Sequence, residues 1–330
     1  MALGSPEGLA GVTDNGAVLL GSNFVADSFW RRLVRIVTHA HADHYKGLPS
    51  SIRESIAVIA TPTTLELLRI LGFQIPRDKS LPLEYDRGIA IEEEVVTLRR
   101  SRHIAGSAQV EVETSNGRAG YTGDFKLPGT PPMTDLDVLV IDATYGSPRF
   151  ERRWSDSEAL DALALLVEKH VKNGPVWVYG YHGKLQEVMV ELRRRGVKHR
   201  FLADYKTVRM VEAASRYYNY DVGDVGVYKG GQVDEPSVVF THVSKINSKS
   251  RMKGAHIVLT GWELKDVVVR VGENRYNVSF SDHATFREVV AYVSEARPKE
   301  VIVDAYRGRD AWFTAKYIEK LLGIKARAEP

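Results

Sequence analysis

Thr38-His39-Ala40-His41-Ala42-Asp43-His44 sets three imidazoles and one carboxylate within seven residues. These are side chains that hold zinc and similar first-row cations, and four of them this close converge on one place. The preceding Leu33-Val34-Arg35-Ile36-Val37 is an apolar, β-branched run and reads as a buried strand. Gly47-Leu48-Pro49 reads as a turn beyond it. The ligand-type residues therefore belong to a loop at a strand end, where folds concentrate chemistry. A surface histidine tract without a metal has no need of that strand and turn around it.

Composition narrows the chemistry. The chain has 330 residues, 44% hydrophobic and 26% charged, and no cysteine. It is long enough for two domains and ordinary for a globular protein. Without thiolates, any metal is held by nitrogen and oxygen, which suits a catalytic site better than a structural knuckle. No run approaches a membrane span, and Met1-Ala2-Leu3-Gly4-Ser5-Pro6-Glu7 shows neither the charged nor the apolar region of a leader. A cytoplasmic protein with no membrane partner is the expectation. The formal charge is only +3, but residues 151–270 carry 20 Lys and Arg against 15 Asp and Glu, while the remainder carries 25 against 27. The middle of the chain is the part to expect against a polyanion.

The texture changes at the same place. Up to residue 150, short strands are expected at 17–20, 34–37, 57–59, 95–98, 109–113 and 138–141. One helix follows Thr61-Pro62, with Leu65, Leu68 and Leu71 on its apolar face. From residue 151, helices alternate with compact apolar strands. Ser155-Asp156-Ser157-Glu158 is a capping-box pattern that opens a helix to about residue 172, striped by Leu160, Leu163, Ala164 and Val167. Strands at 175–179, 200–203, 238–241 and 257–260 and helices at 184–195 and 206–217 predict a small parallel α/β unit. A hairpin across Gly272-Glu273-Asn274 leads to Phe280-Ser281-Asp282-His283 and a helix with Phe286, Val289, Val290 and Val293 on one face.

Three more segments share one form, a ligand-type residue just past an apolar strand. They are Arg102-His103-Ile104-Ala105-Gly106-Ser107, Tyr121-Thr122-Gly123-Asp124-Phe125 and Val140-Ile141-Asp142-Ala143-Thr144-Tyr145. Each alone is weak, since single histidines and Gly-Asp turns are common. In order behind His-x-His-x-Asp-His, they reinforce one another.

With those residues in place, the sequence resembles the metallo-β-lactamase superfamily, whose motifs are matched by His39, His41, Asp43, His44, His103 and Asp124. It resembles more narrowly the β-CASP nucleases, through Asp142 and the late His283, and among them the DNA cross-link repair nucleases and prokaryotic ligase-associated DNA exonucleases. The resemblance implies an αββα sandwich interrupted by an inserted β-CASP α/β domain, with residues 1–150 and 271–330 forming the metallo-β-lactamase domain and 151–270 the insert. It further implies that His39, His41 and His103 hold a first metal, Asp43 and His44 a second, and Asp124 bridges them. Zinc is the implied cofactor, as one or two ions, with manganese or magnesium as alternatives. Asp142 is implied to orient a ligand histidine and His283 to face the scissile phosphate. Two metals suit phosphodiester hydrolysis, because they can activate water and neutralise charge on phosphorus and the leaving oxygen.

One departure bears on the substrate. RNA-cutting members of that group carry a further histidine at the end of a later strand, and in Pro298-Lys299-Glu300-Val301-Ile302-Val303-Asp304-Ala305 that position is Ala305. This favours a DNA-directed 5′ exonuclease and a more weakly held second metal, unless the neighbouring Asp304 takes over as ligand. Nucleic acid is the expected partner, DNA over RNA. Candidate phosphate contacts are Gly183 and Lys184 at a strand-to-helix turn, Arg307 and Arg309 after Ala305, and the basic residues Arg193, Arg194, Arg195, Lys198, Arg200, Lys245, Lys249, Arg251 and Lys253. The competing readings are an RNA-processing nuclease of the same fold, a non-catalytic nucleic-acid scaffold and a small-molecule hydrolase. The last has no need of a basic insert.

Overall fold

The computed structural model describes residues 8–249 and 252–330, so the opening heptapeptide and Arg251 lie outside the described residues. Two compact units emerge, Met1–Glu151 with His283–Pro330, and Arg152–Asp282.

The first unit begins with a six-stranded sheet, β1 (Ala10–Val12), β2 (Val18–Leu20), β3 (Phe24–Ala26), β4 (Val34–Ile36), β5 (Ala57–Ala60) and β6 (Ser80–Pro82), in that spatial order. Helices α1 (Leu48–Glu54) and α2 (Pro62–Leu71) lie between its later strands in sequence. A second sheet contains β7 (Gly88–Ile91), β8 (Glu94–Arg100), β9 (Ala108–Thr114), β10 (Gly117–Tyr121) and β11 (Val138–Ile141), completed by two strands from the end of the chain.

The inserted unit is α3 (Asp156–Val171), β12 (Val176–Gly180), α4 (Lys184–Arg194), β13 (Arg200–Ala203), α5 (Tyr205–Tyr218), β14 (Val225–Val227), β15 (Ser237–His242), the single turn α6 (Ile246–Lys249), β16 (Ala255–Thr260), β17 (Val268–Gly272) and β18 (Arg275–Ser279). Its sheet runs β14-β13-β15-β12-β16-β18-β17, parallel except for the β17–β18 hairpin. The second boundary therefore lies at 282/283 rather than 270/271. The hairpin adds to the inserted sheet, because β18 pairs in parallel with β16 from His256↔Arg275 to Thr260↔Ser279. The chain then returns through α7 (Phe286–Ala296), β19 (Glu300–Asp304), α8 (Ala311–Leu322) and β20 (Lys325–Glu329), with β19 pairing β11.

In the first unit the two sheets face each other over one core, in which Val34 and Ile36 meet Val96, Leu98, Val110 and Tyr121. A second core packs α7 and α8 on the outer side of β11 and β19, through Val289, Val293, Ala315 and Ile318. This is an αββα sandwich. Burial of Val34 and Ile36 contributes about 1.5–3 kcal/mol each, enough to fix the register of so short a strand. Alternation then turns Arg35 to the opposite face, where it is fully buried and donates to Ser51 Oγ of α1. Gly47-Leu48-Pro49, expected as a turn, instead starts α1, with Gly47 at φ +70 and the proline in the first turn. On α2 the buried face is Thr64, Leu67 and Leu68, and Leu65 and Leu71 are only half-buried. No helix among the described residues is long and apolar enough to cross a membrane.

Candidate metal centre

Each ligand-type residue of the first unit follows the carboxyl end of a strand: Asp27 after β3, His39 after β4, His103 after β8, Asp124 after β10 and Asp142 after β11. β3 and β4 are parallel, and so are β8 and β10 through their shared antiparallel neighbour β9, so these ends gather at one rim. Gly123 makes the turn before Asp124 at φ +54. A Cβ there would stand 3.2 Å from Thr38 Cβ, so the Asp124 loop lies directly against the histidine loop.

Four ligand atoms converge. His41 Nδ1 lies 3.1 Å from His39 Nε2 and 3.0 Å from His103 Nε2. Asp124 Oδ2 lies 3.5 Å from His39 Nε2 and 3.4 Å from His103 Nε2. A tetrahedral zinc with bonds of about 2.1 Å has ligand-to-ligand edges of about 3.4 Å, so this spacing fits such an ion.

Beside it, His44 Nε2 stands 3.2 Å from Asp124 Oδ1 and 3.3 Å from Asp43 Oδ2. His44 Nε2 and Asp124 Oδ1 are buried, and apart from this mutual approach and Asp43 neither meets a hydrogen-bonding group. Orphaned buried polar atoms of this kind are costly unless something binds them. A cation between them removes that cost, so these residues fit a second ion as well. That second set is more open, because the Asp43 side chain is 55% exposed.

The charges are strongly coupled. Burial opposes a proton on His44, but Asp124, Asp27 and Asp43 outweigh it and hold its pKa well above the ordinary value. Burial and the neighbouring His44 and His103 push His39 well below it. Burial alone raises the pKa of Asp124, yet His44 and His283 bring it well below the usual carboxylate range. The same opposition, burial against His44, leaves Asp43 lowered.

A family description of the β-lactamase superfamily domain matches residues 34–173. An uncharacterized protein in the lig 3′ region of Acidianus ambivalens is 42% identical over 137 residues, covering 41% of this chain and 97% of that protein. The chain belongs to the metallo-β-lactamase superfamily. This metallo-β-lactamase chain is also 25% identical over 325 residues to human protein artemis, covering 82% of this chain but 44% of that protein. It is 28% identical over 189 residues to RNase aCSPSF2 of Saccharolobus solfataricus, covering 48% of this chain and 38% of that protein. The chain thus spans less than half the length of either. Such relatives are consistent with a β-CASP nuclease.

The metallo-β-lactamase site depends on residues that no motif marked. Asp27 Oδ2 accepts from His44 Nδ1 at 2.6 Å, and its carboxylate also accepts from Thr38 N and Thr38 Oγ1 at 2.9 Å. With its proton on Asp27, Thr38 Oγ1 accepts the His39 Nδ1–H at 3.1 Å, so the His39 Nε2 lone pair faces the centre. Arg35 donates to the carbonyls of His44 and Lys46 and ties the loop down. Burial lowers its pKa to about 10. The only sequence signal for either residue was a charge inside, or just beyond, an apolar strand.

Several expectations need correction. Asp142 accepts from Thr144 N and Oγ1 and sits 3.4 Å from His283 Nδ1. The histidine it orients is His283, and Asp27 is the carboxylate that orients a ligand-set histidine. Asp304 cannot replace the absent ligand at Ala305, because it is fully buried and bonded to Arg307 Nη1 at 2.8 Å and to the N–H groups of Tyr306 and Arg307. Arg307 is no phosphate contact either: its side chain is 4% exposed and also donates to Gly16 O and Asp43 O. Arg309 is exposed, and its backbone bridges to Tyr145.

Within the inserted unit, Lys184 is buried and paired with Asp282 at 3.1 Å, while the Gly183 N–H donates to Gln186 Oε1. Both are committed internally rather than available to a phosphate. Arg193 stacks on Phe201 and donates to three carbonyls, Arg194 pairs with Glu191, Arg195 with Asp161 and Glu191, and Arg200 with Glu235. These four arginines are engaged by partners within their own unit.

Proposed function

We propose that this chain is a metal-dependent β-CASP nuclease that hydrolyses DNA phosphodiester bonds from a 5′ end. Asp124 carries the reading. One of its oxygens faces His39 and His103, the other faces His44, and a carboxylate so placed would serve two cation positions.

Zinc suits the nitrogen-rich donor set, and when bound it supplies charge neutralisation on the phosphodiester and activation of water. His39, His41, His103 and Asp124 form the more enclosed position, and Asp43 with His44 the more open one. His283 has Nδ1 set by Thr144 Oγ1 at 3.2 Å and by Asp142, and its imidazole is the group we assign to a phosphate oxygen or to the leaving group's proton. No serine or cysteine nucleophile is required.

A DNA substrate is supported by Ala305, which offers no ligand atom, together with the commitment of Asp304 to Arg307. The likeness to an RNase supports a ribonuclease as the second reading. The test is digestion of matched 5′- and 3′-labelled DNA and RNA, single- and double-stranded, with zinc, manganese and magnesium. Mononucleotide release from DNA 5′ ends is the expected result. A strong preference for RNA overturns the DNA assignment, and no hydrolysis with any metal overturns the nuclease.

A further inference from the structure

The inserted sheet has a reversal in its winding. From β12 the chain moves through α4 towards β13, on one side, whereas from the neighbouring β16 it moves towards β17 and β18, on the other. In open α/β sheets, the crevice beyond the carboxyl ends of the strands at such a switch point is where ligands bind.

What stands there is aromatic. Tyr181 is the first residue past β12 and is 56% exposed, and Trp262 is the second past β16 and is 45% exposed. Further along the same edge, beyond the intervening β15, Tyr205 begins α5 just past β13 and is 63% exposed. These three are the inserted unit's only large aromatics among the strongly exposed apolar side chains of the described residues, and all three lie at the carboxyl edge of one sheet. Exposed tyrosine and tryptophan lose apolar contact to water, so three on one edge mark an interaction surface.

The edge carries further polar ring and cation chemistry. The Tyr181 ring meets that of His242 edge-on at 5.4 Å, and His242 is paired in register with Gly180. Lys206 is exposed beside Tyr205, and Lys245 follows His242 with its side chain 52% exposed and its Nζ 3.9 Å from the Asp204 carboxylate. The unit as a whole, residues 152–282, carries 21 Lys and Arg against 16 Asp and Glu. Flat rings and cations on the same sheet edge match an unpaired nucleobase strand, whose bases stack on aromatics while its phosphates seek positive charge. A duplex hides its base faces and offers such rings nothing to stack on.

We propose that Tyr181, Trp262 and Tyr205 form a base-stacking rail for single-stranded nucleic acid on the carboxyl edge of the inserted sheet. The proposal rests on the nucleic-acid reading above and deepens it by specifying an unpaired strand and the residues that grip it.

Stopped-flow anisotropy of the full chain, as purified and read before any cleavage, tests it with labelled oligothymidylate, oligouridylate, an abasic strand of equal length and a duplex. Stacking is worth roughly 1–3 kcal/mol per base, or about 5- to 150-fold in affinity. Oligothymidylate or oligouridylate should therefore bind at least about fivefold tighter than the abasic strand. Trp262→Ala and Tyr181→Ala should each erase much of that margin, Tyr205→Ala somewhat less, and Trp262→Phe and Tyr181→Phe should restore it. Equal binding of base-bearing and abasic strands, tighter binding of the duplex, or a triple alanine variant that keeps the margin overturns the rail, and the edge then serves another partner. Base-dependent binding without any hydrolysis would sink the nuclease reading and leave the rail standing. Hydrolysis with base-independent binding would do the reverse.

Discussion

Asp27 Oδ2 lies 2.6 Å from His44 Nδ1, and both side chains are wholly withdrawn from solvent. The carboxylate fixes the ring so that Nε2 alone is left for a cation, and it makes that nitrogen a better donor. Asp27→Asn keeps the shape but loses the charge. It should weaken metal binding at the Asp43–His44 position by about 10- to 100-fold, measured by competitive zinc titration. Unchanged affinity would mean that packing alone orients His44.

Arg307 and Asp304 form a buried pair at 2.8 Å. Burial disfavours the charge on both, and each offsets that cost for the other. Arg307→Met leaves Asp304 alone in the core and should cost about 3–5 kcal/mol of stability. Arg307→Met combined with Asp304→Asn should recover much of the loss, read as the urea midpoint of the chelator-treated chain. A double variant as unstable as the single one would place the loss in the contacts of Arg307 with Gly16 and Asp43 rather than in the unpaired charge.

The metal-free chain should respond to pH through His44 and His39 in opposite directions. The pKa of His44 is raised on folding, so its stabilisation is full below the ordinary value of 6.5 and disappears as pH rises through the folded value. His39 is lowered, so the unfolded chain takes up a proton that the folded chain refuses, and stability falls as pH drops below 6.5. Thermal melts after chelation should peak near the histidine range and fall on both sides. His44→Gln should remove the alkaline fall, and saturating zinc should flatten it, since a cation replaces the proton. A melt that keeps rising above the histidine range would contradict the assignment for His44.

His283 is held by Thr144 and Asp142 and lies 3.7 Å from Asp124 Oδ2. As the group that faces the phosphate, it should be dispensable for metal loading and not for turnover. His283→Ala should lower the cleavage rate by about 10²- to 10⁴-fold with unchanged zinc content by mass spectrometry. Loss of one zinc equivalent would make it a ligand instead.

Much of the centre was legible in one dimension because its ligands sit on short loops after apolar strands. His39, His41, Asp43 and His44 are local to one loop, and the strand-end form of the His103 and Asp124 segments followed from the alternation of apolar runs with polar turns. Strands with little apolar pattern carry no such signal, such as β6, whose Ser80-Leu81-Pro82 is recognisable only from its pairing with β5. The hairpin β17–β18 was visible, but its membership in the inserted sheet depends on the distant partner β16.

The charged residues divide along the same line. Lys184, Arg193 and Arg307 look alike in sequence to any basic residue in search of a phosphate, yet each is consumed by partners inside its own unit. Conversely Tyr181, Tyr205 and Trp262 look like ordinary core aromatics until the sheet leaves them at its exposed edge.

The amino-acid sequence by itself determined the chemistry of the centre, nitrogen and oxygen ligands without a thiol, and the interruption of one α/β layer structure by another. Ligand type and hydrophobic period are local properties. Only the tertiary structure decided which charges serve the site and which serve the fold. Asp27 reaches His44 across 17 residues, Arg307 reaches Asp43 across 264, and Asp142 reaches His283 across 141. A buried charge must find a partner wherever the folded chain places one, and no local pattern records that distance.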